Sequence, residues 1–140
     1  MSAETAGLAR PAALRPLLDL VLTALEAGAQ HRGGPLPPGG PELIAGQTRL
    51  ALSIQHDQDA LLRLTEFLAF GTADPADPAC AAHLHCPPLA LAVAADLAVS
   101  ALNPSLDSWD QAPAATGMET ALIAELAELV GFEPAAPSPT

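Results

Sequence analysis

A chain of 140 residues has the length of one domain, and folding at that size buries roughly 68% of the extended surface. Half of the residues are apolar, but they are mostly leucine and alanine. Three phenylalanines, one tryptophan and no tyrosine leave few large anchors, while fifteen prolines and ten glycines favour loops, so the chain is expected to fold alone only marginally.

The net charge of −11 is unevenly placed. Residues 1–63 hold all five arginines and six carboxylates, whereas 64–140 hold ten carboxylates and no basic side chain. Such a surface repels a phosphate backbone, so nucleic acid is excluded as a partner. An acidic bias in composition explains the charge as well as a basic ligand does. There is no lysine anywhere.

In chain order, residues 1–11 read as a disordered N-terminus. Leu14, Leu17, Leu18, Val21, Leu22 and Leu25 form a broad apolar stripe that predicts a helix over 12–27, with Pro11 or Pro16 in its first turn and Gly28 as its stop. The run 31–41, rich in glycine and proline, is expected to be a flexible link or extended arm. It lacks the GxxxxGK[ST] pattern of a phosphate loop, and no strand precedes it. A second helix is expected over 42–53, with Leu43, Ile44, Leu50 and Ile54 apolar. A third follows over 60–70, capped by Asp57 or Asp59, carrying Leu61, Leu62, Leu64, Phe67 and Leu68 and ending at Gly71. Asp74-Pro75-Ala76-Asp77-Pro78 enforces a turn.

Pro88 opens a fourth helix, in which Leu89, Val93 and Leu97 form one seam and Leu91, Ala94, Ala98 and Leu102 another. Its alanines permit close approach on nearly every side, so it is expected to be buried. Asn103-Pro104 ends it. Thr116 to Glu119 matches a capping box, predicting a fifth helix with Met118, Leu122, Leu126, Leu129 and Val130 on one stripe. Gly131 stops that helix with Phe132 folding back, and 134–140 reads as a disordered tail. No segment alternates at period two over a useful length. The fold class is therefore all-α, with about five helices joined by proline- and glycine-rich connections. The apolar run Leu17–Leu25 is broken by Asp19 and lacks a cleavage site, and Leu89–Leu102 is too short to cross a bilayer. A soluble, cytoplasmic chain is expected, with no membrane partner and its cysteines reduced.

Two turns carry the chemistry. Cys80, His83, His85 and Cys86 are four potential zinc donors, but they lack two well-separated ligand pairs. A cysteine–histidine nucleophile pair needs an orienting group and an oxyanion site that the sequence does not supply. The plain alternative leaves one histidine packed in the turn and the other on the surface. Against it, Pro87-Pro88 rigidifies the preceding residues at low entropic cost and so favours a binding role. Trp109 lies in the second turn, where a lone tryptophan most often packs in a core or an interface. Asp107, Asp110 and Gln111 are near enough to bond its indole or the turn backbone.

The stretches 79–88 and 101–116 resemble the N-terminal region of the group II pyridoxal-phosphate-dependent amino acid decarboxylases, with the diaminobutyrate and lysine-like branch nearest. The resemblance is fairly specific over 79–132 and extends, through helix order and the proline–glycine link, to 14–70. It implies an N-terminal helical arm over 12–73 that packs against the other subunit of a homodimer. It also implies a segment 74–133 comprising the substrate-mouth turn, the buried helix and the start of a large-domain helix. By resemblance His83, Leu84, His85 and Cys86 occupy substrate-pocket positions, and Pro87, Trp109 and Pro113 shape the junction. The cofactor implied is pyridoxal 5′-phosphate, and the reaction is loss of an amino acid's α-carboxylate as carbon dioxide.

Two departures follow. Gly117 stands where the family usually carries glutamate, and the expected phosphate contacts, ring-stacking histidine, pyridine-pairing aspartate and aldimine lysine are not among these residues. Schiff-base chemistry needs an amine, which a lysine-free chain does not supply from a side chain. The expectation is a truncated or split portion of a decarboxylase, inactive alone, that does not bind the cofactor covalently, holds no metal, and needs a homodimer partner or a complementing cofactor domain. The alternatives are a non-catalytic helical dimerisation module or a small metal-binding helical protein.

Overall fold

The computed structural model describes residues 7–53, 57–81 and 84–132. The expected disordered N-terminus falls in part, and the tail wholly, outside the described residues, as do Ile54 and His83. Five helices follow in order: α1 (Pro11–Arg32), α2 (Pro41–Ala51), α3 (Asp57–Phe70), α4 (Ala90–Leu102) and α5 (Pro113–Leu129). No strand occurs among the described residues, and the all-α class holds. The chain divides into two compact units, Met1–Ala94 and Ala95–Thr140.

The first unit is built on α3, which packs against both α1 and α2. Helix α1 is longer than its sequence suggests. Gly28 does not stop it but lies buried inside it, against α3. A Cβ at Gly28 would collide with the Glu66 carbonyl oxygen, would sit 2.7 Å from Ala69 Cβ, and would sit 3.0 Å from Phe70 N. The glycine therefore serves a close helix–helix approach, and neighbouring Ala24 is fully buried in the same seam. The true stop is Gly33, at φ 70°, whose N–H donates to Ala29 O at 3.2 Å. His31 and Arg32 thus belong to the last helical turn, not to a flexible link. Pro11 sits at the start of α1, which places Pro16 inside the helix.

Helix α2 also opens on a proline, Pro41, after Gly40. Asp59 lies within α3 and is not its cap. Gly71 closes α3 by donating its N–H to Phe67 O at 2.9 Å.

In the second unit α5 begins three residues before the capping box. Pro113 is its first residue, and Ala112, the residue before it, makes no side-chain cap bond. Thr116 is one turn inside, where its Oγ1 donates back to Ala112 O at 3.2 Å. The Thr-x-x-Glu pattern is overridden because proline's fixed φ already starts the helix. At the other end Gly131, φ 78°, donates to Glu128 O at 3.1 Å, and Phe132 N donates to Ala127 O at 2.8 Å. These two bonds form a Schellman stop. Phe132 folds back through its backbone only, since the residue is 72% exposed.

Within this chain α4 is left uncovered. Every residue from Ala90 to Ser100 is exposed, with Leu91 82% exposed. All-round hydrophobicity signals burial only where another element is present to cover the helix. The helix ends as expected at Asn103, which adopts φ 44° and donates its N–H to Val99 O at 2.8 Å. No helix among the described residues is long and apolar enough to cross a membrane.

Candidate functional site

The first turn is organised from α1. The Arg32 side chain is only 8% exposed, and its guanidinium donates to four acceptors. These are Gly34 O (2.6 Å from Nε), Ala69 O (2.9 Å) and Thr72 O (2.8 Å), both from Nη1, and Asp74 Oδ2 (3.0 Å from Nη2). The planar fork of arginine suits this work, because it reaches diverging acceptors with little further loss of freedom. The ends of α1 and α3 are thereby tied to the turn after α3.

Asp74 continues the network. Its N–H donates to Pro35 O at 2.8 Å, and its Oδ1 accepts from Ala76 N at 3.0 Å. Asp77 repeats the motif one step later, its Oδ1 accepting from Ala79 N at 2.8 Å and its carbonyl from Cys80 N at 2.9 Å. Two successive Asx turns, each followed by proline, therefore set the direction in which the chain leaves for Cys80.

Leu84 is 109% exposed, and His85 and Cys86 are exposed as well. Cys80 is half-buried, and both cysteines are free thiols. His83, the remaining expected pocket residue, lies outside the described residues. No cluster of three metal-ligating side chains occurs among the described residues. Pro87 and Pro88 return to the first unit, where they help line an open cavity of about 400 Å³ with Arg32, Ala69, Asp74 and Pro75. The prolines share that cavity with Arg32 and Asp74, while Leu84, His85 and Cys86 are exposed.

The second turn, 103–112, is held locally. Ser108 Oγ donates to Asp110 Oδ1 at 2.7 Å, Gln111 N donates to Ser108 O at 3.1 Å, and Asp107 N reaches Ser105 Oγ at 3.4 Å. Trp109 is 70% exposed, so it is not a core residue of this chain. Pro113 is exposed at the first position of α5.

Sequence reasoning missed Arg32, the residue that holds the first turn in place. Its acceptors at Ala69, Thr72 and Asp74 are about forty positions away, and no local pattern announces them. The only signal was a lone arginine directly before a glycine pair.

The residues present do not fit a pyridoxal phosphate site by themselves. There is no lysine, and the buried guanidinium that could hold a phosphate is already satisfied by three carbonyls and a carboxylate.

No protein-family model matches the chain, and no solved structure matches it. Among curated proteins it is 39% identical over 92 residues to an L-2,4-diaminobutyrate decarboxylase of Acinetobacter baumannii, covering 61% of this chain and 18% of that protein. It is 54% identical over 52 residues to an L-2,4-diaminobutyrate decarboxylase of Rhizobium meliloti (strain 1021), covering 37% of this chain and 10% of that protein. The chain is thus related over part of its length to decarboxylases, and it spans less than a fifth of the length of either relative.

Proposed function

We infer that this chain is the N-terminal helical portion of a pyridoxal-phosphate-dependent amino acid decarboxylase acting on 2,4-diaminobutyrate or a related amino acid. The observation that carries this reading is the 54% identity over 52 residues with a protein of that name. In this reading the helices supply a surface for a second subunit, and His83, Leu84, His85 and Cys86 contribute to the mouth of the substrate pocket. The exposure of Leu84, His85 and Cys86 supports that role, since side chains without internal partners are free to meet a substrate or a neighbouring subunit. Bound elsewhere in the assembly, the cofactor supplies an electron sink for loss of the α-carboxylate. The amine that holds it comes from outside these lysine-free residues.

The test is complementation. The chain is mixed with the remaining portion of a diaminobutyrate decarboxylase lacking its own N-terminal segment, and carbon dioxide release is followed with 2,4-diaminobutyrate, lysine and glutamate. Turnover that appears only on mixing, and is greatest with 2,4-diaminobutyrate, is the expected result. A stable complex without turnover, or no complex at all, overturns the reading.

A further inference from the structure

The two cysteines of the chain, Cys80 and Cys86, stand on the two limbs of one short excursion. On the outgoing limb two hydrogen-bonded turns follow each other, Asp77 N–H donating to Asp74 O at 3.2 Å and Cys80 N–H to Asp77 O at 2.9 Å. A turn of this kind keeps its first and fourth Cα atoms within about 7 Å, so Cys80 is folded back toward Asp77. The returning limb ends at Pro87 and Pro88, which line one cavity of about 400 Å³ with Asp74, Pro75 and Ala76 of the outgoing limb. Cys86 directly precedes that anchor. Arg32 fixes the same wall from α1 through Ala69 O, Thr72 O and the Asp74 carboxylate. Both ends of the excursion are therefore held, and each carries a free thiol, Cys86 exposed and Cys80 half-buried.

We propose that Cys80 and Cys86 are a redox pair that closes reversibly to an intramolecular disulfide, with glutathione disulfide as the oxidant. A disulfide requires Cα atoms about 4.4–6.8 Å apart, and the fold favours that approach by holding both limbs against one wall. The exposed Cys86 thiolate attacks one sulfur of the oxidant, whose S–S bond breaks and releases one glutathione. Cys80 then attacks Cys86 Sγ in the mixed disulfide and expels the second glutathione. Two protein thiols are oxidised, one glutathione disulfide is reduced to two thiols, and the two protein protons end on those thiols. Excess reduced glutathione reverses the exchange. The product is a seven-residue ring, 80–86, that ties Leu84 and His85 to the turns anchored by Arg32 and consumes the exposed Cys86 thiol. No third cysteine competes for either partner. The inference uses only the unit that contains α1 and α3, so it stands or falls independently of the decarboxylase reading.

The test is equilibration of the full chain in buffers of reduced and oxidised glutathione, followed by acid quenching, alkylation of the remaining thiols and peptide mass spectrometry. The expected product is a monomer lighter by two hydrogens, with Cys80 linked to Cys86, exceeding the glutathione mixed disulfides by about tenfold or more at millimolar glutathione. Cys80→Ser should leave Cys86 as the glutathione adduct. Cys86→Ser should slow capture of the remaining thiol several-fold, because Cys80 is the less exposed of the two. Repeating the equilibration in denaturing urea separates the fold from the sequence spacing, since the cysteines stay six positions apart while the turns and the cavity are lost. The ring is expected to lose about fivefold or more of its advantage there. Predominant mixed disulfides, disulfide-linked dimers, or an equal yield of the ring with and without urea overturns the proposal.

Discussion

Arg32, in the last turn of α1, holds Asp74 at 3.0 Å across 42 positions of sequence. The ion pair is only part of the relationship. Asp74 is 39% exposed on its side chain, so the Coulomb attraction is screened and worth little alone. The weight lies in the carbonyls of Ala69 and Thr72, which share one guanidinium nitrogen. Removing the arginine would orphan acceptors at the end of α3 and free the turn that leads to Cys80.

Arg32→Met is therefore expected to cost about 2 kcal/mol, with Arg32→Lys recovering only part, because an ammonium does not fork to several diverging acceptors. Urea denaturation gives the energy. Hydrogen exchange at the Asp74 amide, bonded to Pro35 O, shows whether the turn has come loose.

Gly28 and Gly117 should respond oppositely to added side chains. Gly28→Val forces a branched side chain into the Glu66 and Ala69 backbone and is expected to lose about 2–3 kcal/mol. Gly117 sits in α5 with open space around its Cβ position, so Gly117→Ala should gain about 0.5–1 kcal/mol of helix stability. Far-UV circular dichroism melts of the two variants test both signs.

If Thr116 capped α5, Thr116→Ala would cost about 1 kcal/mol. With its hydroxyl instead bonded back to Ala112 O inside the helix, the expected cost is below about 0.5 kcal/mol. The same melt distinguishes the two.

Apolar area on α4 should make the isolated chain associate and bind hydrophobic dyes. Leu91 and Leu102 are 82% and 78% exposed. The double variant Leu91→Gln with Leu102→Gln is expected to lower dye fluorescence and the association seen by sedimentation, with no loss of α1–α3 stability. Unchanged association would place the contact elsewhere.

His85→Ala and Cys86→Ala should leave stability within about 0.5 kcal/mol, as expected for exposed side chains. In the complemented enzyme the same substitutions should change KM or turnover. If neither moves, the turn has no part in the substrate pocket.

The sequence by itself determined the five helices and most of their ends. Leucine spacing and the stops at Gly71, Asn103 and Gly131 act within one or two turns of backbone and can be read locally, whereas the starts of α4 at Ala90 rather than Pro88 and of α5 at Pro113 rather than after Thr116 were misread. It also determined that no amine for a Schiff base comes from a lysine of this chain. Which side of each helix would be covered was decided only by tertiary structure. Gly28 reads as a stop until α3 is seen pressed against it, and α4 reads as a core helix although its residues Ala90–Ser100 are exposed in this chain. Arg32 and Gln47 carry no local signature at all, because a guanidinium takes its role from acceptors about forty residues away and an amide oxygen is orphaned only by the packing around it. Helix formation is set by interactions a few residues apart, whereas burial and polar satisfaction depend on which distant segments meet.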